Sequence, residues 1–198
     1  MTRAQQIPIS GHVPAGGPHD YYPTPPWVTR ALVESGEIPT GRTWDTWLEP
    51  CAGEGAIIRA VPEVAWSAME LRPECQEQLE EVAGVGNVAI GDFLAEGHPG
   101  EPAWVVTNPP FRLAADFVRA SLEVASQGVA MLLPLGWLGS CSSRLDLLRS
   151  PPDVLVLSKR PSFNGKGTDV QSYAWMIFRR GLRRSHGQWR VLEVAGGR

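Results

Sequence analysis

The apolar run Ala103-Trp104-Val105-Val106-Thr107 passes directly into Asn108-Pro109-Pro110-Phe111, and no other stretch of the chain restricts the fold as strongly. Two consecutive prolines have no N–H and a fixed φ, so a strand that leads into them ends there and its last carbonyls keep one geometry. An Asn side-chain oxygen and a fixed carbonyl can together accept both hydrogens of an exocyclic amine, and Phe111 offers a flat face for an aromatic ring. A strand-ending turn with a core Phe is the plainer alternative.

A second motif lies upstream. Leu48-Glu49-Pro50-Cys51-Ala52-Gly53-Glu54-Gly55 stands between Thr43-Trp44-Asp45-Thr46-Trp47 and Ala56-Ile57-Ile58-Arg59-Ala60, the order expected of strand, tight glycine turn and helix. In an open α/β sheet, ligands bind at the carboxyl ends of strands, where glycine allows close backbone approach. The run Val64–Met69 ends in Glu70-Leu71, an acidic strand end suited to a ribose diol. Asn87-Val88-Ala89-Ile90 ends in Gly91-Asp92-Phe93, where Asp92 can read an adenine amine and Phe93 can pack on the ring; capping of the next helix is the default role for Asp92. Neither Gly-x-Gly-x-x-Gly nor Gly-Lys-Ser/Thr is present, so the pattern favours ribose and adenine without phosphates, as in S-adenosylmethionine.

On these residues the chain resembles the N6-adenine DNA methyltransferases. Glu49 to Gly55 is similar to their cofactor motif, and Asn108 to Phe111 to their catalytic motif. Tyr21 to Leu32 resembles the segment that packs beside the cofactor. Arg160 to Asp169, with Tyr173-Ala174-Trp175, is similar to the late loop and strand of small phage and prophage members. The resemblance spans residues 20 to 180. It implies a single Rossmann-like α/β domain, a mainly parallel twisted sheet with helices on both faces. It further implies that Tyr22, Thr24, Pro25, Glu49, Pro50, Cys51, Gly53, Gly55, Glu70, Leu71, Asp92, Phe93 and Asn108 surround the cofactor. Asn108, Pro109, Pro110 and Phe111 would hold the target base, with Phe163 on its other face and Arg160 and Lys166 near the substrate. The implied activity is direct methyl transfer to adenine N6 in DNA, on a flipped or unpaired base.

Several alternatives stay open. RNA adenine is one, and a protein glutamine amide another. A third is a module that grips cofactor and nucleic acid without turnover. Ring-carbon methylation of cytosine needs a thiolate, and neither cysteine after the cofactor motif, Cys75 or Cys141, has a Pro-Cys signature. Cys51, Cys75 and Cys141 form no Cys-x-x-Cys, and His12, His19, His98 and His186 are scattered among Gly and Pro, so no metal site is expected.

The chain of 198 residues suits one domain, expected over residues 20–180, with a loose arm at 1–19 and a basic end at 181–198. An odd cysteine count, no signal-peptide core and no membrane-length apolar run lead to an expectation of a cytoplasmic protein. The net charge of −3 hides an asymmetry: residues 1–143 hold 7 Lys/Arg against 17 Asp/Glu, and residues 144–198 hold 11 against 4. The basic end, including Lys159, Arg160, Lys166, Arg179, Arg180, Arg183, Arg184 and Arg190, is the expected docking side for a polyanion, the alternative being a solvated tail that balances an acidic body. Helices are expected at Trp27–Glu34 and Arg112–Ser126 and a short one at Leu145–Leu148; strand-like runs at Val129–Pro134, Val154–Leu157 and Tyr173–Phe178 complete an alternation that implies a mainly parallel sheet. Gly136–Ser143 is expected to be a loop from which Trp137 can reach the substrate. Little remains after residue 180 for a separate recognition region, which leaves weak selectivity, a homodimer or a short site read by loops.

Overall fold

The computed structural model describes residues 22–40, 45–139, 142–163, 167–181 and 185–194. Eight strands form one sheet in the order β3-β2-β1-β4-β5-β7-β6-β8. In chain order they are β1 (Thr46–Glu49), β2 (Ala65–Glu70), β3 (Val88–Ile90), β4 (Trp104–Thr107), β5 (Gly128–Pro134), β6 (Asp153–Leu157), β7 (Tyr173–Arg179) and β8 (Trp189–Leu192). The helices are α1 (Pro26–Glu34), α2 (Ala56–Ala60), α3 (Gln76–Ala83), α4 (Phe93–Glu96), α5 (Ala114–Val124) and α6 (Leu145–Leu148). All pairings are parallel except those of β7, which runs antiparallel to both β5 and β6.

Side-chain alternation explains the layering. Trp47, Trp104, Val106, Ala130 and Leu132 face one core with α1 and α2, whereas Leu48, Val105, Val129, Met131 and Leu133 face a second core with α5. Both faces of the central strands are therefore covered, which is why β4, β5 and most of β7 read as unbroken apolar runs. The indole of Trp175 donates to the Val28 carbonyl at 2.9 Å, fastening α1 to the sheet. At the β1–α2 turn, Gly53 and Gly55 have φ of 57° and 81°. A Cβ on Gly55 would come within 2.8 Å of Val82 Cγ2, so glycine is required both for the turn and for the approach of α3.

Three expectations change. Leu135–Leu138 forms a short 3-10 helix at the start of the expected loop, and Trp137 is only 7% exposed, edge-on to Phe178, so it belongs to the core. The segment Trp189–Leu192, unassigned from sequence, adds an edge strand beside β6.

The third change concerns the basic cluster. Arg179 pairs in register with Gly128, at the start of β5, and so lies at the opposite end of the sheet from Asn108. It binds Asp153 at 3.1 Å and Glu37 at 2.8 Å. Arg180 donates to the Ala125 carbonyl at 2.8 Å, and Arg190 reaches Glu37 at 3.4 Å and the Ser35 carbonyl at 2.7 Å. These arginines join α1, β6, β7 and β8 rather than line the site; Arg183 and Arg184 lie outside the described residues. No described helix is long and apolar enough to cross a membrane.

Removing Arg179 takes the ion-pair partner from the buried Asp153 carboxylate, which keeps the Gln188 N–H as a donor at 2.9 Å. Arg179→Ala is expected to lose about 3 kcal/mol of stability in urea denaturation, as for a broken buried pair.

Candidate functional site

β1 and β4 are neighbours, and the chain leaves β1 towards β2 but leaves β4 towards β5, in opposite directions across the sheet, so a crevice opens beyond their carboxyl ends. The two sequence motifs meet there. Cys51 Sγ lies 2.7 Å from Thr107 Oγ1 and 3.7 Å from the Asn108 carbonyl, which ties the turn after β1 to the end of β4. Burial raises the Cys51 thiol well above its ordinary pKa, so it stays protonated and acts as a hydrogen-bonding brace.

Two carboxylates sit side by side in the crevice. Glu70 accepts from the Gly53 N–H at 2.6 Å and from the Arg72 backbone and Nε at 3.1 and 3.0 Å. Each carboxylate oxygen can accept more than one donor, so Glu70 retains capacity for a ligand hydroxyl. Glu49 is buried at the end of β1, and its Oε2 has no partner among the described residues. Burial first, then the Glu70 charge, hold its pKa well above the carboxylate range, against the opposing effect of the Ile58 N–H. Such a pair favours a ligand that brings positive charge and hydroxyl donors. Pro50 is buried behind the turn, and Leu71, 58% exposed, offers an aliphatic face next to Glu70.

Asp92 takes the capping role: its Oδ1 accepts from the Leu94 N–H at 2.9 Å, while its own N–H donates to Glu96 at 3.0 Å. Phe93 departs from expectation. Only 2% exposed and stacked on Phe117 at 5.8 Å, it packs in the core instead of presenting a ring to the crevice.

At the end of β4, Asn108 is half-buried, Pro109 buried and Pro110 exposed. The Pro110 and Phe111 carbonyls accept from Leu113 and Ala114 and turn the chain into α5. The Asn108 Nδ2 donates to Thr24 Oγ1 at 3.2 Å and to the Tyr22 carbonyl at 3.5 Å. Both amide hydrogens are thus directed at the protein, and Oδ1 has no hydrogen-bond partner among the described residues.

An aromatic row extends from this point: Phe111 to Tyr173 at 5.8 Å, Tyr173 to Phe163 at 5.2 Å, and Phe163 to Tyr22 at 6.2 Å. Tyr173 was not a sequence candidate. Because β7 is antiparallel, its first residue arrives at the site end, where the Tyr173 hydroxyl donates to Asp169 at 2.9 Å. Beside the row, a pocket of about 380 Å³ is lined by Pro23, Thr24, Pro25, Arg59, Ser162 and Phe163, among others. Arg160 is exposed and donates to the Val170 carbonyl at 3.3 Å; Lys166 lies outside the described residues.

The overall fold is similar to that of solved structures. A protein of Listeria monocytogenes described as a class I S-adenosylmethionine-dependent methyltransferase aligns with a TM-score of 0.70 at 11% identity, over 92% of this chain and 69% of its own. The chain has the class I methyltransferase fold. A protein of Vibrio vulnificus described as the modification subunit of a type I restriction enzyme aligns with a TM-score of 0.60 at 18% identity, over 93% of this chain and 49% of its own. An RNA methyltransferase from Salinibacter ruber, solved with S-adenosyl-L-homocysteine, gives 0.53 at 17% identity, over 79% of this chain and 92% of its own. No protein-family model and no curated protein matches the chain. Relative to that methyltransferase fold, the carboxylate pair and Asn108 occupy the crevice at the carboxyl ends of β1, β2 and β4.

The Glu49 environment has a measurable consequence. A carboxyl group whose folded pKa exceeds its unfolded value makes the protein lose stability as pH rises from the ordinary carboxylate range through the raised value. Glu49→Gln keeps a hydrogen-bond acceptor for Ile58 and removes the charge. Its Tm advantage over wild type is expected to widen as the pH of the melt is raised from about 5 towards neutrality, and parallel Tm curves for the two proteins would refute the assignment.

Proposed function

We propose that this protein is an S-adenosylmethionine-dependent methyltransferase that acts on the exocyclic N6 amine of adenine in DNA. The observation that carries this reading is the Asn108 carboxamide, whose two N–H groups are directed at Thr24 and Tyr22 so that only its oxygen is open. A group that can only accept suits a substrate that donates.

The crevice fits the cofactor. Buried Glu49, with an unpartnered oxygen, and the adjoining Glu70 favour a ligand with an ammonium, a sulfonium and a ribose diol, and Leu71 gives its adenine an aliphatic surface. When bound, S-adenosylmethionine supplies an activated methyl carbon, whose bond to sulfur breaks as a bond to the amine nitrogen forms. The residues of the chain align and polarise. An aromatic amine is a weak nucleophile because its lone pair is delocalised into the ring. Asn108 Oδ1 and the Pro109 carbonyl, which no described donor occupies, would accept its two hydrogens and localise the lone pair. One of those protons passes to water after transfer. Catalysis on this account is orientation and electrostatic preorganisation, with no covalent enzyme intermediate.

Phe111 would hold the base by its face. The row Tyr173-Phe163-Tyr22 forms the adjoining wall, with Phe163 supporting it by edge contacts. Flipping a base from a duplex costs about a few kcal/mol, which stacking on these rings offsets. Exposed Arg112, Lys159 and Arg160 follow the site ends of β4 and β6, where a phosphate backbone would pass. The DNA assignment rests on the resemblance of residues 21–32 and 160–175 to the DNA enzymes.

Asn108→Ala removes the acceptor without touching the carboxylates. It is expected to lower kcat at least about 100-fold, the scale of losing one preorganised hydrogen bond to the reacting group, while cofactor affinity measured by calorimetry stays within about threefold. Full activity in this variant would sink the mechanism.

A further inference from the structure

We propose that the substrate is duplex DNA, and that Leu113 fills the gap left in its stack when the target adenine is drawn out. The inference deepens the proposed function and rests on it, adding the form of the substrate and a residue outside the site described above.

A base held on Phe111 has left its duplex, and the base pairs that flanked it face an empty step. An apolar side chain inserted there replaces part of the lost stacking. Such a side chain must be exposed, close to the ring that holds the base, and mounted on a stiff backbone. Leu113 meets all three conditions. It is 44% exposed and joins neither core, unlike Phe111, which packs against both. It stands two residues along the chain from Phe111, a reach of at most about 7 Å between their Cα atoms. Its N–H donates to the Pro110 carbonyl, and its own carbonyl accepts from Asp116 and Phe117, each at 2.9 Å. The turn after the two prolines and the first turn of α5 thus hold it from both sides.

The sequence sets this leucine apart. A single exposed leucine is commonplace on a protein surface, but Leu113 occupies the capping position of α5 and makes no side-chain cap bond. Ser, Thr, Asp and Asn are preferred there because their oxygens accept from the free N–H groups of the first turn, and leucine is among the least stabilising choices. The side chain therefore serves neither the helix nor the core. Where a local choice opposes the stability of the element that carries it, function is the usual reason. Arg112, exposed and adjacent in the chain, sets a cation beside the leucine, which suits an approach to the phosphate-lined edge of a groove.

The wedge matters only where a partner strand keeps the stack in register. In single-stranded DNA the target is already unpaired, and no gap has to be filled. Leu113 is on this account a positioning residue for duplex substrates, and it does not touch the reacting atoms.

The test compares Leu113→Ser, which removes the wedge and supplies a preferred cap, with Leu113→Met, which keeps an apolar side chain of similar size. The substrates are mixed-sequence duplexes, the same strands unannealed, and duplexes carrying adenine–cytosine mismatches. In Leu113→Ser, kcat/KM for methyl transfer is expected to fall at least about tenfold on matched duplex, to stay within about threefold of wild type on single strands, and to recover on mismatched duplex, where flipping costs less. Its Tm is expected to be unchanged or higher, and Leu113→Met is expected to behave as wild type. The fluorescent adenine analogue 2-aminopurine, placed at adenine positions of the duplex, reports unstacking without methyl transfer; its emission should rise with wild type and not with Leu113→Ser. Equal loss on duplex and single strands, an unimpaired serine variant, or wild-type transfer confined to single strands would overturn the proposal, the last leaving the proposed function intact. If wild type transfers no methyl to any DNA, the proposed function fails; an emission rise that needs Leu113 would still support the wedge, and no rise would overturn it as well.

Discussion

Parallel pairing of β1 with β4, with Trp47 opposite Trp104 and Leu48 opposite Val105, is the constraint on which the site depends. It brings two strand ends separated by more than fifty residues of sequence to the same level, and the Cys51–Thr107 contact closes the distance between them. On one side of that junction the chain carries Glu49 and the glycine turn; on the other it carries Asn108 and the two prolines. Without this register the carboxylates and the carboxamide would belong to separate surfaces. The antiparallel course of β7 adds a second effect, because one strand delivers Tyr173 to the site and Arg179 to the far end of the sheet.

Electrostatics then gives the crevice its preference. Buried Glu49 beside Glu70 is a costly arrangement without a compensating charge, and the open Asn108 oxygen adds another acceptor within the same crevice. A cationic ligand and an amine are what such surroundings lack. Among the described residues, Arg72 is held on Glu70, Arg59 donates to the Glu54 and Gln78 carbonyls, and the arginines of β7 and β8 are committed to Glu37, Asp153 and backbone carbonyls. The acidic first part of the chain and the basic last part are thus partly neutralised within the fold, through Glu37, and the asymmetry visible in the composition overstates the charge offered to a polyanion.

Much of the architecture was legible because strands buried on both faces are continuous apolar runs with polar or glycine ends. Trp104–Thr107, Gly128–Pro134 and Tyr173–Arg179 are of this kind, and the order of their motifs gave the fold class. The edge strand Trp189–Leu192 was not legible, since it has exposed Trp189 and Val191 and no such run. Phe93 was misplaced because linear proximity to Asp92 does not say which side of the chain meets the crevice. Arg179 and Arg180 were misplaced because counting charges along the chain ignores which end of the sheet they reach. The Thr24–Asn108 contact and the Tyr173 position depend on long-range register, about which local pattern carries no information.

The most direct test of the central claim is transfer of labelled methyl from S-adenosylmethionine to duplex DNA, single-stranded DNA and RNA of mixed sequence, followed by nucleoside analysis. N6-methyladenine in DNA is the expected product. Label confined to RNA, or to a nucleoside other than adenosine, would contradict the substrate assignment, and cofactor binding without label in any of the three would contradict the enzymatic reading itself.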